Sequence, residues 1–428
     1  MKKIYLTFVL MGVFFSLFAQ KLSTTEQKLI TEVEKNYMQT LALLEEVTNI
    51  NSGSLNLEGV EGVAKVFERE FQKIGFETEW FKLPPEAKRA GHFIATRKGS
   101  KGKKIFLIGH LDTVFEKEMP FTPFTYLNDS TATGQGVNDM KGGDVMIFAS
   151  LKALHDLGQL EDRTITVYFT GDEESSADEE LSRRDFIDRA KTHDIALGYE
   201  TSQSFGITTV ARRGSSGWTL KTSGKQSHSS GVFRESVGYG AIYEAARILT
   251  EFQEELAREQ YLTFNPGQII GGSDISYNPE TGKGESLGKT NIVAREALVM
   301  GDLRFLGEEQ KVNARVKMQA IVDRHLNQTD AEIIFEDGLP SMIPTEGNYA
   351  LAETLSELSI DMGLGEVKPG DPGSRGAGDI SFVANYLDSL DGLGASGNGA
   401  HAPGETINMK EYPELIKRST LFLYRLTR

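Results

Sequence analysis

An imidazole and a carboxylate one residue apart, His110 and Asp112 in GHLDTVFE, follow directly on the apolar run Ile105-Phe106-Leu107-Ile108. Asp139 lies in GQGVNDMKGGD, a glycine-rich segment just ahead of a helical stretch. Glu173 and Glu174 follow TVYFTGD, Glu200 follows IALGY, and His401 sits in GASGNGAHAPGETINM. These nitrogen and oxygen donors suit zinc, a borderline metal. Two histidines and three carboxylates are enough for two ions if one carboxylate bridges, and a pair roughly 3.5–4 Å apart can hold a hydroxide and polarise a carbonyl. Glu173, beside Glu174, is then left as the general base, close to the activated water without being tied up as a ligand. Asp112 is the natural acceptor for the other ring N–H of His110, fixing its tautomer. A His-x-Asp pair alone is ordinarily a polar turn, and a double glutamate alone a solvated surface. Five such features, each at the end of a strand, are a much stronger signal. His92, His155, His193 and His325 have no such setting and read as structural or surface residues; the run Asp178-Glu179-Glu180 reads as a solvated helix start.

The elements that must position these groups follow from periodicity. Residues 24–50 and 59–75 repeat apolar residues at helical spacing. GFETEWFKL, HFIATR, KKIFLIGHLDTV, Thr164–Thr170 and IALGYE read as strands, and Asp144 to Leu157 as a helix. This alternation predicts an α/β layer fold with a mostly parallel sheet, whose sites form at the carboxyl ends of the strands. From Arg212 the rhythm changes. GWTLKTSG, Gln268–Ile270, Asn291–Val293, Ala297–Phe305 and Ala331–Phe335 read as strands, with helices over Ser236–Leu256 and Glu308–His325. That order predicts a ferredoxin-like α+β domain. The α/β pattern resumes after Pro340, with a helix over Tyr349–Met362 and a turn-rich segment 364–408. The expected division is therefore a catalytic domain over 20–211 and 341–428 with a second domain, 212–340, inserted in it. Segments 206–217 and 271–290, rich in Gly, Ser and Thr, read as hinges and loops.

Composition narrows the rest. The 428 residues carry a net charge of -15, which argues against broad nucleic-acid binding. There is no cysteine, so no thiol nucleophile exists and any metal site must use His, Asp and Glu. MKK, the apolar stretch Ile4 to Phe18 and Ala19 read as a signal peptide over 1–19. Its apolar part is short for a membrane span of roughly 20 residues. The expectation is an exported protein, periplasmic or secreted, without membrane attachment after cleavage. A serine nucleophile is disfavoured, because Gly394-Ala395-Ser396-Gly397-Asn398 lacks the final glycine of a nucleophile elbow.

GHLDTV, GQGVNDMKGG, TGDEESS, GYET, GKQSHSSG, TNIVAREALVMGDLRF and GNGAHAPGE together resemble the di-zinc metallohydrolases of peptidase family M20, across nearly the whole chain past the leader. The resemblance implies a catalytic α/β domain with an inserted lid that also dimerises. Asp139 would bridge two zinc ions (manganese or cobalt as substitutes), His110 and Glu200 would complete one site, and Glu174 and His401 the other. Glu173 would act as general base and acid, with Asp112 orienting His110. His228 would help hold the reacting carbonyl oxygen, and Asn291 and Arg304 would contact the substrate carboxylate, which an Arg fork matches in shape. Glu200 within GYET is most similar to the glutamate-carboxypeptidase branch, so the implied reaction releases a C-terminal amino acid from a small peptide or N-acyl amino acid. A dipeptidase, an N-acyl-amino-acid deacylase, an aminopeptidase and a non-catalytic binding protein on the same fold are the alternatives. The chain departs from the family pattern at Asn138 and Met140 around Asp139, at Ser175-Ser176, and at Ile292-Val293-Ala294. These changes bear on substrate preference more than on chemistry.

Overall fold

A computed structural model describes residues 22–279 and 281–428. The leader expected over 1–19 lies outside the described residues. Six strands form the central sheet, in the order Glu77–Lys82, Gly91–Arg97, Arg163–Thr170, Lys101–His110, Ile195–Gly198, Asp388–Leu390. The last four run parallel to one another. The first two form an antiparallel edge. The link from Lys82 to Gly91 is too short for the crossover that a parallel pair needs.

Alternation along the parallel strands explains how they are sandwiched. Ile105 and Leu107 join one apolar cluster while Phe106 joins another, and Ile165 and Val167 separate from Tyr168 in the same way. Successive side chains of a strand point to opposite faces, so both faces are covered. Helices Thr24–Thr48, Leu57–Lys73, Lys141–Asp156 and Glu346–Asp361 contribute to the first cluster. Phe186 and Ala190 of helix Glu179–Ala190 contribute to the second. A C-terminal helix, Tyr412–Leu426, which periodicity alone did not reveal, buries Leu415, Ile416, Leu421 and Phe422 in the first cluster.

The inserted segment builds its own sheet, in the order Thr263–Gly272, Glu296–Phe305, Gly214–Gly224, Thr329–Asp337, with every neighbouring pair antiparallel. Helices Ala241–Leu256 and Glu308–Val322 pack on it around Trp218, Phe252, Val299, Met318 and Ile321, apart from the other clusters. This is the ferredoxin-like βαββαβ arrangement. Three local expectations fail. The first helix starts at Ala241 rather than Ser236, because Gly238 and Gly240 take φ values of 75° and 80°, outside any right-handed helix. Asn291–Val293 is no strand; only Ile292 pairs, in an isolated bridge with His228. Segment 271–290 is not a plain loop but contains a hairpin, Asp274–Asn278 with Lys283–Leu287. The chain enters and leaves this unit at one place, where Arg212 and Met342 exchange backbone hydrogen bonds of 2.9 Å in both directions. Among the described residues, no helix is long and apolar enough to cross a membrane.

Candidate metal centre

Five different segments deliver the acidic and imidazole groups at the carboxyl edge of the sheet. His110 is the last residue of its strand, Glu173 and Glu174 follow the strand ending at Thr170, and Glu200 lies just past Gly198. Asp139 stands ahead of helix Lys141–Asp156, after the strand Thr131–Thr133. His401 tips a hairpin between Gly397–Asn398 and Thr406–Asn408, and Thr406–Asn408 pairs with Thr131–Thr133. The Asp139 and His401 segments thus share one small sheet.

The side chains converge on Asp139. Its Oδ1 lies 3.3 Å from His110 Nε2, and its Oδ2 lies 3.1 Å from His401 Nε2. Glu200 Oε1 is 3.5 Å from His110 Nε2, and Glu174 Oε2 is 3.2 Å from His401 Nε2. Two groups with metal-ligand spacing result, His110–Asp139–Glu200 and Asp139–Glu174–His401. The chemistry of the donors fits cations there. His110 Nδ1 is 2.9 Å from the backbone oxygen of Asp112, which can only accept, so Nδ1 carries the proton and Nε2 offers a lone pair. That Nε2 and Glu174 Oε1 are buried without a hydrogen-bond partner, a costly state unless something binds them.

The local charge is lopsided. Burial and then the Asp139 charge push Glu200 up to about 7. Burial and then the Glu200 charge push Glu173 well above the usual carboxylate range. Hydrogen bonds to Asp139 and Glu174 raise His401 to about 10. Burial works against a charged His110, yet its contact with Asp139 and the charge of Glu200 raise it. Carboxylates outnumber cations here, as a site for divalent metal requires.

Asp112 differs from expectation in how it acts. Its carboxylate stands 3.6 Å from His110 Nδ1, while its backbone oxygen takes the ring proton. The carboxylate instead accepts from Ser54 Oγ at 2.6 Å, from Glu173 N at 3.0 Å and from Glu174 N at 3.1 Å. It therefore shapes the turn that presents the two glutamates. That turn is held from other sides too. Gly171 N donates to His92 Nδ1 at 3.2 Å, and Asp172 pairs with the buried Arg183 at 2.5 Å. Arg183 also reaches Asp379 at 2.8 Å. Glu173 itself extends into a cleft of about 390 Å³ with Asp139, Glu174, Glu200 and His401.

Three expected substrate contacts do not line this cleft. His228 is exposed and holds Ser230 Oγ at 2.9 Å, and the Asn291 backbone oxygen lies beside it, accepting from Ser229 N. Arg304 pairs with Asp302 at 2.8 Å, though a Cβ on cleft residue Gly376 would stand 4.0 Å from its Nη1. The cleft wall instead contains Arg212 and Arg375, which sequence reasoning missed. It also missed Glu405, a buried carboxylate that accepts from the backbone N–H groups of Gly136, Asn138 and Asp139 at 2.7–3.0 Å. Its place four residues after His401 was the available signal.

A family model described as peptidase family M20/M25/M40 matches residues 106–425. Carboxypeptidase G2 of Pseudomonas sp. (strain RS-16) is 26% identical over 388 residues, 87% of this chain and 86% of that protein. Among solved structures, aminopeptidase PepT from Bacillus cereus ATCC 10987 superposes with a TM-score of 0.70 at 17% identity, covering 94% of this chain and 99% of that one. The Bacillus subtilis YXEP protein, described as a dinuclear metal binding peptidase from the M20 family, gives a TM-score of 0.65 at 14% identity, covering 92% and 99%.

Proposed function

The chain belongs to peptidase family M20/M25/M40 and is a hydrolase, and from that premise we propose that it is an exported, metal-dependent peptidase that cleaves a peptide or N-acyl amide bond and releases a C-terminal amino acid. The observation that supports the reading is Asp139, whose two oxygens face two different histidines. Two zinc ions, or manganese or cobalt, would be held by Asp139 between them, by His110 and Glu200 on one side and by Glu174 and His401 on the other. Bound there, such a pair polarises an amide carbonyl and brings the pKa of a water to about 7.

The chain's own residues supply the rest. Glu173 lines the cleft, and burial followed by the Glu200 charge holds its carboxyl well above the usual carboxylate range, the direction that a group taking and returning a proton needs. It takes the proton of the attacking water and returns it to the leaving amine nitrogen. Asp112 fixes the turn that aims Glu173, and Glu405 fixes the backbone of Asp139. Arg304 and Asn291 receive the substrate carboxylate and His228 the carbonyl oxygen once the inserted unit, acting as a lid, closes over the cleft. The lid also pairs two copies into a homodimer. Cleavage after Ala19 releases the mature protein into the periplasm or the medium.

Mass spectrometry of products from a panel of dipeptides and N-acyl amino acids tests the reading, with zinc-loaded mature protein and a chelated control. The expected result is chelator-sensitive release of the C-terminal amino acid. Release from dipeptides alone, or from one acyl group whatever the amino acid, would move the chain to a dipeptidase or deacylase. Metal binding without any cleavage would overturn the peptidase reading.

A further inference from the structure

Arg212 in the cleft wall is held more firmly than a solvated cation needs to be. It lies where the chain enters the inserted unit, and its backbone is pinned there by the paired hydrogen bonds with Met342. Its side chain is 4% exposed and reaches into the catalytic unit. Nε holds the fully buried Asp391 at 2.5 Å, and Nη1 donates to the backbone oxygens of Gly376 and Ala377 at 3.1 and 3.2 Å. Asp391 is fixed in turn. Its Oδ1 accepts from Gly392 N at 2.7 Å, and its backbone exchanges hydrogen bonds of 2.9 Å with Thr209. Two glycines make room for this pair. A Cβ on Gly198 would stand 2.2 Å from Asp391 Oδ1, and one on Gly378 would stand 3.0 Å from Arg212 Cζ. Gly198 ends the strand that presents Glu200.

One arm of the guanidinium fork is left over. Arg212 Nη2 is buried without a hydrogen-bond partner, a costly state for a charged donor. It faces Glu200, with Oε2 at 3.9 Å, about 1 Å beyond hydrogen-bond length. The other oxygen of Glu200, Oε1, stands 3.5 Å from His110 Nε2. The two oxygens are thus divided, one toward the imidazole and one toward the guanidinium. A carboxylate can give an ion either one oxygen or both. We propose that Arg212 is a positioning residue for Glu200: it takes Oε2, so that Glu200 reaches an ion beside His110 through Oε1 alone. A catalytic metal keeps one coordination position open for water or substrate, and a second oxygen from Glu200 would fill it. The proposal rests on metal binding at His110, Asp139 and Glu200, and adds what decides how Glu200 binds.

A crystal structure of the zinc-loaded native protein is the direct test. Glu200 is expected to bind through Oε1 alone, with Oε2 about 3 Å from Arg212 Nη2. Binding through both oxygens would overturn the assignment. This measurement needs no variant, so it decides even where substitution at Arg212 prevents folding. In solution, Arg212→Lys and the charge-neutral pair Arg212→Gln with Asp391→Asn are loaded with cobalt(II), whose visible absorption weakens as its coordination number rises. Both variants, checked for folding by circular dichroism, are expected to absorb less than native protein. Both should also lose roughly 10–100-fold in affinity for the ion on the His110 side, read with a competing chelator, while the ion on the Glu174–His401 side holds. Arg212→Lys keeps a charge and should lose less. Native absorption and affinity in both folded variants would overturn the assignment. Two bound ions, with Glu200 on one oxygen and no cleavage of any dipeptide or N-acyl amino acid, would overturn the peptidase reading and support the Arg212 one. Cleavage with Glu200 bound through both oxygens would do the reverse.

Discussion

The two histidines that face Asp139 stand in opposite settings. His110 ends a central strand, its side chain 1% exposed and its ring fixed by the Asp112 backbone. His401 tips a hairpin, its side chain 59% exposed, with a φ of 65° between Gly399 and Gly404. A left-handed backbone at a non-glycine residue costs on the order of 1–3 kcal/mol and persists only where the surroundings impose it. The sheet thus prebuilds one side of the centre, while the other is completed by a loop. The glutamates between them belong to the prebuilt side: Asp112, His92 and Arg183 all hold the turn from Gly171 to Glu174.

The largest test of this contrast is loss of metal. His110→Ala leaves buried carboxylates facing one another, and is expected to bind less than one ion per chain and to lose all measurable turnover. His401→Ala should keep the ion at His110, Asp139 and Glu200 and lose only the other. Metal content by inductively coupled plasma mass spectrometry decides; equal content in the two variants would remove the contrast.

Acid stability comes next. Burial lowers His92 to about 4, against an unfolded value near 6.5. The unfolded chain therefore binds more protons between those values. The stability this neutral His preserves is complete above about 6.5 and lost as pH falls to about 4. The loss amounts to on the order of 3 kcal/mol. Urea denaturation of the chelated protein from pH 7 to 4 should show that loss, and His92→Gln should flatten the slope. Parallel slopes in the two proteins would show that His92 does not carry it.

The smallest effect expected is from Asp112→Asn. An amide cannot accept at both positions as the carboxylate does, so the turn should shift and metal affinity should fall roughly 10–100-fold. The loss should fall on the Glu174–His401 side, read by titrating a competing chelator. Loss on the His110 side instead would make the carboxylate, not the backbone oxygen, the partner of that ring.

What the sequence made legible follows from distance along the chain. An apolar run that stops at His110, or at Thr170 ahead of Glu173, is a local signal, and local signals located every group that faces Asp139. The places of Asp112, Glu405 and Arg375 were not legible, because each is held by a partner far away in sequence: Glu173 N for Asp112, Asn138 N for Glu405, Thr201 Oγ1 for Arg375. The hairpin Asp274–Asn278 with Lys283–Leu287 escaped for another reason. Its strands are exposed or half-exposed throughout, so they lack the apolar alternation that marks a strand. Helix Ala241–Leu256 was visible, but its start was hidden in glycines whose handedness composition does not state.

Glu405 gives the centre an order of assembly. Its carboxylate holds the backbone of Gly136, Asn138 and Asp139, and His401 lies on the same short loop. A growing chain can pair its first strands long before residue 405 exists, but the shared aspartate is neither anchored nor matched with its second imidazole until then. Truncation ahead of that loop would spare most of the sheet and delete the chemistry, so in biosynthesis the reactive centre is completed only when little more than the C-terminal helix, Tyr412–Leu426, remains to be made.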